Sequence, residues 1–232
     1  MIKAVSVETM RASDAYTIAH LIPSKELMRR AGEGIFRAVP CWKPPVGIIA
    51  GKGNNAGDGY VVARLLQEAG IPAEIILLEE RFSEDGRYYY DICREHGIPA
   101  RLYGADTDLR AYGTLVDCLL GTGFAGEVRE PLRGLIEKMN ASGAYIVSAD
   151  INSGLNGDTG LGTVFVRSDL TVSIGDYKTG HFRGSAGEAM KAKTNVDIGI
   201  RIIGPYIEIE EAQTGAAGQP QSAGAAAEQR RA

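Results

Sequence analysis

The sequence predicts an α/β fold: a three-layer, doubly wound, mostly parallel sheet of Rossmann-like type with helices at its N-terminus. Three observations lead there. Short, predominantly apolar runs, such as Val46–Ala50, Thr114–Leu120 and Leu170–Ile174, recur along the 232 residues; this is the texture of strands buried on both faces. Segments of helical period separate them. The first run passes directly into a glycine-rich loop, residues 51–59, and then into a helix.

The elements follow in order. Val5–Leu21 reads as a helix, and Ser24 is placed as the N-cap of a second that runs through Leu27, Met28, Ala31 and Ile35 toward Pro40. After strand Val46–Ala50 and its glycine loop, Val61, Val62, Leu65, Leu66 and Ala69 recur at helical spacing, with Gly70 where a C-cap belongs. Ala73–Leu78 reads as a strand, Ser83–His96 as a helix ended by Gly97, and Ile98–Tyr103 as a third strand. Thr114–Leu120 is the fourth. A helix from Pro131 to Met139 uses proline in its first turn. Ala144–Ala149 and Leu170–Ile174 are the fifth and sixth strands, and Asn195–Ile200 an edge strand.

Composition narrows the class. Hydrophobic residues make up 44% and the formal net charge is −4, which supports a sizeable core and disfavours a nucleic-acid or polybasic membrane face. Cys41, Cys93 and Cys118 contain no C-x-x-C pair, so neither a disulfide framework nor a zinc site is expected. The N-terminus reads as neither signal nor transit peptide, and the expected location is the cytoplasm. From residue 212 the chain turns to Ala, Gly, Gln and Ser. One domain over 1–211 and a disordered, low-complexity tail over 212–232 are therefore expected.

The informative polar residues fall in loops 51–59, 121–129 and 150–160, all expected at the carboxyl edge of the sheet, where such folds bind ligands. Gly51, Gly53 and Ala56 give a loose dinucleotide spacing, and Asp58 is placed as a cap of the next helix. Glu79 or Glu80 stands where a ribose-binding carboxylate falls, although a solvated charge explains it better. Asn54 and Asn55 put two carboxamides beside a carboxylate, which suits a ligand site or an Asn-rich turn. Asp117 lies inside an apolar strand and must be hydrogen-bonded, paired or metal-bound there. Asp150 closes a strand and suits general acid/base work, with burial raising its pKa. Lys178-Thr179-Gly180 lacks the S-x-x-K of a serine β-lactamase. The histidines are scattered, without metal-ligand spacing, and His96 reads as a helix-end dipole partner.

Taken together, the segments resemble the NAD(P)H-hydrate epimerase family, also described as the YjeF N-terminal domain. They are Leu27-Met28-Arg29-Arg30-Ala31-Gly32, the loop Gly51–Gly59, Asp117 with Gly121–Glu127 and Arg129-Glu130-Pro131, Asp150-Ile151-Asn152-Ser153-Gly154, Lys178-Thr179-Gly180 and Asp197-Ile198-Gly199. The ordered set is collinear with the family pattern up to about Ile203. The resemblance implies epimerisation of hydrated NADH or NADPH, a cofactor-repair reaction; the hemiaminal chemistry of that reaction then points to Asp150 as the catalytic proton donor and acceptor, with Lys178 steadying the loop or the developing charge. It implies that Asn54, Asn55, Ala56, Gly57 and Asp58 bind substrate, together with Asp150 and the loop Gly121, Thr122, Gly123, Phe124, Ala125, Gly126 and Glu127. It further implies a potassium ion on Asn55, Asp117 and Ser153, a homodimer, and coupling to a separate NAD(P)H-hydrate dehydratase. Two positions depart from the family pattern: Ala56 replaces glycine and Asn152 replaces proline. The first matters only at positive φ; the second is expected to loosen its loop. The rival readings are a non-catalytic nucleotide-binding or protein-interaction scaffold on the same fold and an ordinary NAD-dependent dehydrogenase.

Overall fold

The structure, a computed structural model, describes residues 1–210; the expected tail over 212–232 lies outside them. Seven strands form one sheet, all parallel: β2 (Val46–Ala50), β3 (Ala73–Leu77), β4 (Ala100–Leu102), β5 (Thr114–Cys118), β6 (Tyr145–Ala149), β7 (Leu170–Ile174) and β8 (Lys193–Val196). Their spatial order is β4-β3-β2-β5-β6-β7-β8. The chain therefore winds outward one way from β2 and the other way from β5. The switch between these two neighbours opens a crevice at their carboxyl ends.

Alternation along the strands sorts the core into two layers. Ile48, Ala50, Ile75, Leu77, Val116 and Cys118 pack with α2 (Ser24–Ala38), α3 (Asn54–Glu68) and α4 (Glu84–Glu95). Ile49, Ile76, Leu115 and Ile146 point the other way, onto Leu135, Ile136 and Met139 of α5 (Leu132–Asn140). Because successive strand residues face opposite sides, an all-apolar strand needs cover on both. Close packing sets the small residues: a side chain at Gly32 of α2 would strike Val61 of α3, and one at Gly59 would meet Cys118 Sγ at 2.8 Å.

Several boundaries differ from expectation. Ser24 is the first helical residue of α2 and makes no capping bond; Pro23 takes the cap position. Asp58 does not cap α3, because the helix already begins at Asn54 with Gly53 as N-cap. The edge strand β8 lies at 193–196 rather than 195–200, since its hydrogen bonds follow β7. Helix α1 (Val7–His20) is capped by Ser6, whose hydroxyl accepts from Thr9 N–H at 3.0 Å. A short antiparallel pair, β1 (Ile2–Ala4) with β9 (Ile207–Ile209), was not foreseen; three residues carry too little periodicity to be read. The last helix, α6 (Ala186–Ala189), is a single turn.

Candidate active site

The switch point brings the first two predicted loops together. Gly51 N–H donates to the Cys118 carbonyl at 3.1 Å, and any side chain at Gly51 would run into the Leu119 carbonyl. The strand-to-helix turn after β2 thus lies against the end of β5, and only glycine permits that approach. Beside it opens a cavity of about 640 Å³, within the range of small-molecule sites.

Of the predicted residues, Asn54, Asn55, Asp58, Gly121, Thr122, Gly123, Phe124, Ala125, Asp150 and Lys178 line this cavity. Ala56 and Gly57 face inward instead. Ala56 is 2% exposed in the first turn of α3 and is not at positive φ, and a side chain at Gly57 would strike Met28. The glycine-to-alanine departure therefore costs the turn nothing. Gly126 and Glu127 are exposed and do not line the cavity. Glu79 pairs with Lys52 at 3.4 Å on the surface, the behaviour of a solvated charge.

Asp150 is the only non-glycine residue at positive φ among the described residues, with φ 63°. Such a backbone costs on the order of 1–3 kcal/mol and persists only when its surroundings fix it. They do. Its N–H donates to Val172 O at 2.8 Å, and its carbonyl lies 2.8 Å from His181 Nε2. Its carboxylate accepts from Lys178 Nζ at 2.5 Å and from Thr122 N–H at 3.2 Å. Lys178, 1% exposed, also donates to Ile174 O at 2.8 Å.

This pairing reverses the expected direction of the Asp150 pKa. Burial is the largest single influence and disfavours the charge, but the Lys178 ammonium, through its charge and its hydrogen bond, outweighs it together with the Thr122 N–H and holds the carboxyl below its usual range. Two other carboxyls around the cavity go the other way. Burial, reinforced by the charge of Asp150, pushes Asp58 well up, with Asp14 adding to it. Burial likewise raises Asp14 of α1, against the pull of Lys178.

Behind the cavity wall, Asp117 is fully buried. Its carboxylate accepts from Ser153 Oγ (2.5 Å), Ser153 N–H (2.9 Å), Ser148 Oγ (2.9 Å) and Leu119 N–H (3.3 Å). Asn55 donates through Nδ2 to Leu120 O (2.9 Å) and Ala149 O (3.3 Å), which fixes the amide orientation. Its Oδ1 is buried with no hydrogen-bond partner. An orphaned carboxamide oxygen beside a carboxylate and a hydroxyl is a hard-oxygen donor set, which suits a hard cation such as potassium. Among the described residues no cluster of three or more His, Cys, Asp or Glu exists to hold a transition metal.

Asn152 overturns the expectation of a loosened loop. Its Nδ2 donates to Val166 O, Ser168 Oγ and Ala189 O within 3.0 Å, and its Oδ1 accepts from Thr171 Oγ1 at 2.6 Å. The carboxamide staples the segment after β6 to Val166, Ser168, Thr171 and Ala189. Other lining residues were not singled out in the sequence. Met10, Arg11, Asp14 and Ile18 of α1 form one face of that helix toward the cavity, and their i, i+4, i+8 spacing was the readable signal.

The architecture is that of a Rossmann-like α/β domain with an oxygen-rich, charged cavity at its switch point. Residues 24–180 match the sequence profile of the family described as YjeF-related protein N-terminus, and the chain belongs to that family. An NAD(P)H-hydrate epimerase of Lentilactobacillus buchneri is 39% identical over 195 residues, covering 80% of this chain and 89% of that protein. One from Oenococcus oeni is 33% identical, covering 81% and 92%. A bifunctional NAD(P)H-hydrate repair enzyme of Archaeoglobus fulgidus is 37% identical over 66% of this chain, which spans 33% of that longer protein. The crystal structure of the yeast protein YNL200c superposes with a TM-score of 0.71 at 20% identity, over 90% of this chain and all of that one, and shows the same fold.

Proposed function

We propose that the protein is an NAD(P)H-hydrate epimerase, an isomerase that interconverts the R and S epimers of hydrated NADH and NADPH. The observation that carries the reading is the Asp150–Lys178 ion pair, held in the lining of a switch-point cavity in a chain whose relatives bear that name.

The substrate carries its hydroxyl on the ring carbon next to nitrogen, a hemiaminal centre. Inversion requires the C–O bond to break with the nitrogen lone pair assisting, and to re-form on the other face. Asp150 holds and returns a proton at the substrate oxygen, and Lys178 keeps it ionised between turnovers. The Gly121–Ala125 backbone and Asn54 with Asp58 bind the remainder of the substrate. Helix α3 begins at the cavity, with Gly53 and Asn54 in its lining, and its N-terminus suits a phosphate.

Asn55, Asp117 and Ser153 hold a potassium ion in this reading, and the unpartnered Asn55 Oδ1 supports it. When bound, the ion supplies fixed positive charge beside the substrate loop. The same reading takes 1–211 as the catalytic domain of a cytoplasmic homodimer, feeding a separate NAD(P)H-hydrate dehydratase. No helix among the described residues is long and apolar enough to cross a membrane.

The test is a coupled assay. The purified protein is mixed with the R epimer of hydrated NADPH and an S-specific dehydratase, and recovery of NADPH is followed. Acceleration over the uncatalysed rate supports the epimerase; no acceleration by a folded protein rejects it.

A further inference from the structure

Inverting a hemiaminal carbon needs proton handling on both faces of one ring, because the hydroxyl leaves from one face and water enters at the other. Asp150 and Lys178 sit at the carboxyl edge of the sheet and serve one face. The same cavity is also lined by α1, a segment that precedes the residues matched by the family profile.

Helix α1 lies across the loops that follow β5, β6 and β7. A methyl on Gly123 would sit 3.5 Å from Arg11 Nη2, one on Gly175 3.5 Å from Met10 Sδ, and one on Gly157 2.5 Å from Val7 Cγ2. The helix is fixed there. Val7 N–H donates to Asp158 Oδ1 at 2.7 Å, and Val5 exchanges backbone bonds with Tyr177 and Thr179. Ser13 Oγ and Thr17 Oγ1 accept from the N–H groups of Ile203 and Arg201, each at 3.0 Å. With Ser13 and Thr17 committed to that side, Met10, Asp14 and Ile18 face the cavity. Asp14 is half-buried and makes no hydrogen bond or ion pair among the described residues. Asp58 also lines the cavity, but it rises on α3 from the same sheet edge as Asp150.

We infer that Asp14 is a second catalytic residue, exchanging a proton with the substrate hydroxyl on the ring face opposite Asp150. This rests on the epimerase reading. For the epimer whose hydroxyl faces α1, neutral Asp14 gives its proton to that oxygen. The C–O bond breaks with its electron pair on oxygen, water leaves, and the nitrogen lone pair forms a C=N bond. On the other face a solvent water adds its oxygen lone pair to the carbon while Asp150 takes its proton, and the C=N π pair returns to nitrogen. One water leaves, one enters, and one proton passes from Asp14 to Asp150; the opposite epimer, or solvent, resets the pair. The resting states fit: burial keeps Asp14 protonated at higher pH than usual while Lys178 keeps Asp150 ionised, the separation of environments that assigns acid and base.

The test compares wild type, Asp14→Asn and Asp14→Glu in water enriched in ¹⁸O, following inversion by chromatography and oxygen incorporation by mass spectrometry. In the wild type, inversion carries in one solvent oxygen. In Asp14→Asn, inversion falls by about 10²-fold or more, while one epimer still exchanges its oxygen without inverting, through Asp150 alone. Asp14→Glu restores part of the inversion. The wild-type rate falls as pH rises through the Asp14 ionisation, in the field of Arg11, Asp58, Asp150, Lys178 and neutral His181, and Asp14→Asn loses that limb. Inversion within about threefold of wild type in Asp14→Asn, where a catalytic acid is worth far more, overturns the proposal. Equal loss of inversion and exchange also overturns it, since that is the mark of impaired binding. A wild type that does not interconvert the epimers sinks the epimerase reading itself, before Asp14 is tested.

Discussion

His181 Nε2 lies 2.8 Å from the Asp150 carbonyl oxygen, and the other ring nitrogen, Nδ1, lies 3.1 Å from the Lys178 backbone nitrogen. One buried ring thus spans both members of the charged pair. Burial, then the Lys178 charge, pushes its pKa down to about 4, so the ring is neutral at pH 7. The neutral tautomer with its proton on Nε2 donates to the Asp150 carbonyl and accepts from Lys178 N–H. That bond helps to hold Asp150 at positive φ.

Replacing His181 by Leu removes this clamp while filling the space. The epimerase rate is expected to drop by roughly 10-fold or more, as catalytic geometry loosens, with the R epimer of hydrated NADPH as substrate. A variant with wild-type kcat would show that Asp150 holds its conformation without the ring.

The same histidine sets a pH signature. Its folded pKa, about 4, lies below the ordinary imidazole value of 6.5, so the unfolded chain binds the proton more readily. Its contribution is present above pH 6.5 and is lost as pH falls toward 4. Urea denaturation at pH 7 and pH 5 should show a loss on the order of 2 kcal/mol in the wild type that His181→Leu lacks.

Asp150→Asn keeps the shape of the side chain and removes its charge. Turnover should fall at least about 10²-fold, with the circular dichroism spectrum retained. Near-normal turnover would take Asp150 out of the reaction.

Asn152→Ala strands the partners of four hydrogen bonds in the segment after β6. Unsatisfied buried groups cost about 1–3 kcal/mol each, less what relaxation recovers. A loss of roughly 2–4 kcal/mol in urea denaturation is expected on that basis. A loss near zero would mean that the loop is held elsewhere.

Potassium should raise the melting temperature in a concentration-dependent way, by mass action on the folded state, where lithium at equal ionic strength does not. Asn55→Ala removes the orphaned Oδ1 and should abolish the difference. Equal shifts with both salts, or a shift that survives in the variant, would count against the site.

The strands and most helices were legible because they report on their own burial. Val46–Ala50 and Leu170–Ile174 are mostly apolar and buried at every position, since both sheet faces are covered, and Gly97 stops α4 at positive φ. The caps at Ser24 and Asp58 misled, because several residues near a helix start compete for one role and the turn decides among them.

By itself the sequence determined the fold class, the strand-end loops and the motif residues, since periodicity and glycine placement are local consequences of φ, ψ and burial. Tertiary structure alone decided which charges meet. Nothing near Asp150 in the chain announces that Lys178, twenty-eight residues on, will sit 2.5 Å away and lower its pKa where burial would raise it. Nor does anything near Asp14 announce that α1 will lie over the same cavity. Electrostatic effects depend on distance through space and on the water excluded between groups, and neither is set until the sheet has brought its strand ends together.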